Sequence, residues 1–297
     1  MRQLKRPKYN PLDVFLLCVG EVVEDDARSN YLENHHQIAN SVVEFDAATS
    51  GKNWFGLPRV GRGHPEVVIR GTLTKGALVD LYGKYLVGGE AAREIYDELL
   101  VSSDGRCPFC GGIGQVHTVD HYLPKSSFPV YSVLPDNLIP CCRDCNTGKM
   151  ASFATTQKDQ TLHPYLDAPS FFSERWVGAM VCRTDPIAVE FTCSPPDEWS
   201  DIDKMRAQAH FDQYNLANRY RIQAGAELAR VIDLRKKSLR ILTSEQFAAY
   251  LDENAESDAY DINGWNRTMY WALARAEWFQ TADFSEPASY LEPALVA

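Results

Sequence analysis

The chain has 297 residues, 45% hydrophobic and 24% charged, enough for one large domain or two to three small ones whose core needs no disulfides. A net charge of −10 argues against a broad surface that coats nucleic acid, because phosphate affinity comes from clustered lysine and arginine. It leaves room for a local site that grips a phosphodiester with a metal ion and a few basic side chains.

The first segment, "MRQLKRPKYNPLDVFLLCVGEVVEDD", is basic, then apolar only from Val14 to Gly20, and offers no small-residue cleavage site. No run approaches the roughly 20 apolar residues of a membrane span, so the expected location is the cytoplasm, without persistent disulfides. Residues 1–101 read as a mainly helical region. In "LTKGALVDLYGKYL", Thr74 is placed to cap a helix carrying Leu78, Leu81, Tyr82 and Tyr85 at helical spacing, and "EAAREIYDELL" predicts a second helix with Ile95, Leu99 and Leu100 on one side. Before them lies "SGKNWFGLPRVGRGHPE", a turn-rich loop whose Lys52, Arg59 and Arg62 are read as solvated charges.

Residues 102–155 change character, with short apolar runs, turn residues and five of the eight cysteines. Cys107-Pro-Phe-Cys110 and Cys142-Arg-Asp-Cys145 are two C-x-x-C knuckles. Each short spacing lets two thiolates converge on one tetrahedral ion, and Gly111 and Gly112 permit the tight turn this requires. Four thiolates predict a structural Zn²⁺ on Cys107, Cys110, Cys142 and Cys145. Buried free thiols or a redox pair are the alternatives, the second weakened by the lack of a strand–helix context. Cys141 would break the two-residue gap if it replaced Cys142. Cys18, Cys182 and Cys193 follow no pairing pattern and are expected to be buried thiols.

Between the knuckles, "QVHTVDHYLP" reads as a strand ended by Pro124, with Asp120 and His121 at its tip and His117 upstream as a structural or substrate-adjacent residue. In "PDNLIPCCRDCNTGK", Asn137 precedes a short apolar strand and Asn146 follows the last cysteine at the start of a helix. Set inside the two knuckles, these residues resemble an HNH endonuclease of the ββα-metal group. The resemblance implies that His121 is the general base, Asn137 the brace that orients it, and Asp120 with Asn146 the ligands of a catalytic Mg²⁺ or Mn²⁺. The chemistry agrees: a neutral imidazole can take a proton from water near pH 7, and carboxylate and amide oxygens suit a hard ion. Lys125 and Lys149 are candidate phosphate contacts.

The implied activity is hydrolysis of a phosphodiester to 5′-phosphate and 3′-hydroxyl ends. The longer pattern, with "LVDLYGKYL", "REIYDELL", "CPFCG" and "HPYLD", is similar to bacterial HNH proteins of anti-phage defence loci and mobile elements. That similarity implies a nucleic-acid partner, DNA ahead of RNA, and restraint by a protein such as an ATPase or by homo-oligomer assembly, with no role for a membrane.

Residues 156–297 read as mainly helical with one hairpin, "RWVGAMVCRTDPIAVEFTC", folded about a Thr-Asp-Pro turn. Leu228, Val231, Ile232 and Leu239 follow helical spacing, and Thr243 with Gln246 makes a capping-box pattern. Arg219, Arg221, Arg230, Arg235, Lys236, Lys237 and Arg240 are read as a solvated helix face. Trp265, Trp271 and Trp278 are read as core. The expected class is α+β, a zinc-stapled ββα-metal core between helical regions. The rival readings are an RNA-cleaving effector of the same family and a non-catalytic zinc-dependent module that binds nucleic acid or protein.

Overall fold

The computed structural model describes residues 1–286 and 290–291. The chain is α+β: helices predominate, and three antiparallel strand pairs occur among the described residues. It forms two compact units, one of Gln3–Phe109 with Gly114–Asp167, the other of Met1–Arg2, Cys110–Ile113 and the described part of Ala168–Ala297.

In the first unit, α1 (Pro11–Gly20), α2 (Asp25–Glu33) and α3 (His35–Ser50) are followed by the short pair β1 (Val68–Arg70) and β2 (Leu73–Thr74). α1 starts where Asn10 accepts the N–H groups of Leu12 and Asp13, with Pro11 supplying a preset φ. Thr74 caps α4 (Lys75–Asp80) by accepting the Ala77 N–H at 3.2 Å. α4 widens into a π-type turn over Leu81–Leu86, and α5 (Arg93–Val101) follows. Val14, Phe15 and Cys18 of α1 join Ile38, Leu81, Leu86 and Leu99 in one apolar cluster, to which β3 (Val116–His121) and β4 (Leu138–Cys142) contribute Val119 and Leu138. Each such side chain stabilises the unit by about 1.5–3 kcal/mol when taken out of water. The strand pair therefore rests on a helical platform, and α6 (Arg143–Lys149) continues directly from β4.

In the second unit, α7 (Ser170–Ser173) leads into the hairpin of β5 (Val177–Cys182) and β6 (Ala188–Cys193), in register from Val177 opposite Cys193 to Cys182 opposite Ala188. Helices α8 (Asp201–Gln213), α9 (Leu216–Lys236), α10 (Ser244–Ala255), α11 (Trp265–Leu273) and α12 (Glu277–Thr281) complete it. β6 packs on α9 and β5 on α11. Thr243 and Gln246 form both hydrogen bonds of the capping box at the start of α10.

Three expectations need correction. Trp265, Trp271 and Trp278 are half-buried rather than core, and guanidinium groups cover two of the rings: Arg175 and Arg275 lie 5.2 and 4.5 Å from the Trp271 ring centre, and Arg183 lies 5.1 Å from that of Trp278. Cys18 is buried as expected, but Cys182 and Cys193 are half-buried at opposite ends of the hairpin. Lys52 is not a solvated charge, since its ammonium donates to the Leu166 carbonyl and lies 5.4 Å from the Trp54 ring centre. Within the basic stretch, Arg230 of α9 pairs with Glu227 at 2.6 Å, and Lys237, just past the helix, with Asp233 at 2.9 Å.

Candidate active site and cysteine cluster

The sulfur atoms of Cys107, Cys110, Cys142 and Cys145 lie within 4.8 Å of one another, and all four residues are buried. Thiolates 2.3 Å from a tetrahedral zinc are about 3.8 Å apart, so the cluster could hold that ion with little adjustment. Gly111 and Gly112 have φ of +61° and +82°, the left-handed turn that a side chain would resist. The second knuckle is built by the β4–α6 junction, where Cys142 caps the helix and its sulfur accepts the Cys145 N–H at 3.4 Å. Cys141 is buried and is not one of the four, but its thiol lies against Cys107 and Cys145 and donates to the Cys142 carbonyl at 3.3 Å.

β3 and β4 pair antiparallel, with Asp120 opposite Ile139 and His121 opposite Leu138. Neighbouring side chains of a strand leave on opposite faces, so Asp120 is partly exposed while His121 is buried. His117 is exposed where the register shifts between Val116 and Thr118. A cleft of about 350 Å³ is lined by Asp120, His121, Lys125 and Asn146, together with Tyr82, Ser126 and Ala151 among others.

His121 is held on two sides. One ring nitrogen, Nε2, is 2.8 Å from the Ser132 carbonyl, which can only accept, so Nε2 carries the hydrogen and Nδ1 keeps the lone pair. Tyr82 meets the imidazole edge-on at 4.4 Å between ring centres, and its hydroxyl donates to the Val119 carbonyl at 2.9 Å. Burial, reinforced by the positive charge of Lys125, pushes the imidazole down to about 3 despite the Ser132 hydrogen bond. The ring is therefore neutral at pH 7.

Asn137 is fully buried and does not line the cleft. Its Oδ1 accepts the Leu123 N–H at 2.7 Å, while its Nδ2 donates to the carbonyls of Leu123 and Tyr131, both at 3.0 Å. One amide thus ties both limbs of the β3–β4 connection that carries Ser132. Lys125 lines the cleft with its ammonium 4.1 Å from the Tyr82 ring centre; burial pulls its pKa down, opposed by Asp120. Lys149 is buried, pairs with Asp120 at 3.1 Å and also donates to the His121 carbonyl. It supports the tip of β3 from within.

The donor set suits a hard divalent cation. Asp120 offers a carboxylate oxygen that Lys149 does not occupy, and the half-buried Asn146 amide makes no hydrogen bond among the described residues. Both line the same cleft, and oxygen ligands of this kind leave positions for water and phosphate. Sequence reasoning missed Tyr82 as a wall of this cleft. It precedes His121 by 39 positions in a helix whose spacing reports only an apolar face, so no local signal marks it.

Comparison with known proteins gives one relative along almost the whole chain. Protein ea31 of Escherichia phage lambda is 34% identical over 292 residues, covering 94% of this chain and 99% of its own length. Septu protein PtuB of Bacillus thuringiensis is 33% identical over 76 residues, covering 24% of this chain and 29% of PtuB. No protein-family model matches the chain, and no solved structure matches it significantly.

Proposed function

The chain belongs to the family of the phage lambda protein ea31, and we propose that it is a metal-dependent HNH endonuclease that hydrolyses phosphodiester bonds, DNA ahead of RNA. The observation that carries this reading is one cleft lined by Asp120, Asn146 and a neutral His121 whose Nε2 is committed to the Ser132 carbonyl. A structural Zn²⁺ on Cys107, Cys110, Cys142 and Cys145 would staple the core, and the phage relative supports a mobile-element context. The shorter likeness to PtuB is the comparison that bears on a defence context.

Asp120 and Asn146 would hold a Mg²⁺ or Mn²⁺ ion, which when bound neutralises charge developing on the phosphate and the leaving oxygen. His121 Nδ1 takes the proton of the attacking water, and the hydrogen bond from Nε2 to Ser132 keeps the imidazole in the tautomer this needs. An anionic phosphate entering the cleft would offset the positive charge of Lys125, which adds to burial in lowering the proton affinity of His121. Asn137 keeps Ser132 in place by bonding both limbs of its loop. Lys125 adds positive charge at the wall where a phosphate would sit.

The test is incubation of the full chain with supercoiled plasmid and with total RNA, in Mg²⁺, Mn²⁺ or EDTA, beside His121→Ala. The expected result is EDTA-sensitive cutting reduced by about 10²–10⁴-fold in the variant, and the polymer consumed identifies the substrate. Cutting unchanged by His121→Ala would overturn the reading.

A further inference from the structure

The segment 58–64, "PRVGRGH", is exposed apart from a half-buried Val60, yet it is pinned. Lys75 is 6% exposed and extends beneath the loop to donate to the carbonyls of Gly61 at 2.6 Å and Gly63 at 2.8 Å. Burying an ammonium is unfavourable unless it is well partnered, so these two bonds fix the loop as firmly as they satisfy the lysine. The Val60 N–H donates to the Ser127 carbonyl at 2.9 Å, and the Gly76 N–H to that of Pro65 at 2.8 Å. Gly63 and His64 both have positive φ, +76° and +55°, which turns the chain sharply there.

The same segment borders the cleft. Arg62 donates to the carbonyl of Ala151 at 3.3 Å, and Ala151 is a cleft-lining residue. Arg59 lies 5.1 Å from the ring centre of Phe153, which meets the buried Phe128 edge-on. Ser127, which receives the Val60 N–H, follows the cleft-lining Ser126.

The partners of these two arginines decide what they are suited to do. Arg28, Arg93, Arg230 and Arg275 are each spent on a carboxylate. Arg59 and Arg62 make no ion pair among the described residues and are held by a ring face and a carbonyl. Such contacts orient a guanidinium without neutralising it, and most of its five N–H donors remain available. The acid nearest the segment, Glu66, meets His64 Nδ1 at 3.1 Å and neither arginine. Two oriented, uncompensated guanidinium groups beside a cleft with a candidate metal site complement an extended polyanion.

Resting on the nuclease reading above, we propose that segment 58–64 is the arm that holds the phosphodiester backbone of the substrate strand beside the cleft, through Arg59 and Arg62. Phosphate contacts of this kind set the position of a strand without reading its sequence, which suits a chain whose net charge is −10.

The test is fluorescence anisotropy of the full chain in EDTA, where cutting is suppressed, with labelled duplex DNA, single-stranded DNA and RNA of one sequence, over a salt series. Arg59→Gln with Arg62→Gln is compared with the unaltered chain; both sites are exposed, and a matching thermal midpoint shows that the fold is kept. The expected result is about tenfold weaker binding, with the slope of log K against log salt falling by roughly one for each arginine, and the preferred polymer naming the strand.

If the unaltered chain binds and cuts while the double variant keeps its slope, the arm is overturned and the nuclease reading stands. If the slope falls but no polymer is cut under any condition, the arm is kept and the nuclease reading fails. If the unaltered chain neither binds nor cuts, both fall.

Discussion

The ammonium of Lys149 lies 3.1 Å from the carboxylate of Asp120, with only 5% and 12% of the two side chains exposed. Removing one member of such a pair leaves the other as a buried charge without compensation. Lys149→Met is expected to destabilise the protein by about 3–5 kcal/mol, with much of that recovered when Asp120→Asn is added. Urea unfolding of the unaltered chain, the two single variants and the double variant measures the coupling, and additive losses would show that the pair contributes nothing.

Asn137 should act through the loop it holds. Asn137→Ala leaves the Leu123 N–H and the Leu123 and Tyr131 carbonyls without their partner, an expected loss of about 3 kcal/mol because each stranded buried group costs about 1–3. Denaturation together with amide exchange checks this, and the N–H of Leu123 should lose protection first.

Zinc content should follow four cysteines and ignore a fifth. Cys107→Ser or Cys145→Ser is expected to remove the one zinc per chain that the tetrad could hold, while Cys141→Ala retains it. A loss of even ~3 kcal/mol would lower the thermal midpoint by about 6–12 °C. Elemental analysis of the purified variants reads the stoichiometry directly, and zinc retained in Cys145→Ser would remove that residue from the set.

Glu227 provides a pH dependence whose sign is determined. Its carboxyl accepts from Arg230 and from the Tyr270 hydroxyl, and the Arg230 hydrogen bond leads in holding it below the usual glutamate range. A depressed carboxyl contributes stability that is present above its unfolded value of about 4.3 and lost as pH falls through the folded value. The stability difference between the unaltered chain and Glu227→Gln should therefore be under ~1 kcal/mol at pH 7, since Arg230 is half exposed. It should shrink toward pH 3. Thermal melts at pH 7, 5 and 3 test the trend, and a difference that grows on acidification would reverse the assignment.

What could be read in the sequence was local. A two-residue gap brings two sulfurs together by chain geometry alone, so the cysteine tetrad was legible down to the exclusion of Cys141. The caps at Thr74 and Thr243 involve atoms at most three residues apart, and the hairpin about Asp185 alternates over a short span. The spacing of Asp120, His121 and Asn146 was equally visible, because a strand pair and the helix that follows it lie in one stretch of chain.

Only the tertiary structure decided which side chains lose their water and what they meet when they do. Lys149 and Lys125 look alike as lysines near the motif, yet one is buried against Asp120 and the other lines the cleft. Trp271 and Trp278 have the spacing of core residues, but Arg175 and Arg183 from the far side of the same unit's sequence cover them at half burial. Arg59 and Arg62 look like charges on a solvated loop until Lys75, Ala151 and Phe153 are seen to hold them. Burial and partnership are set by residues tens of positions away, and a pattern of spacings within one segment carries no term for them.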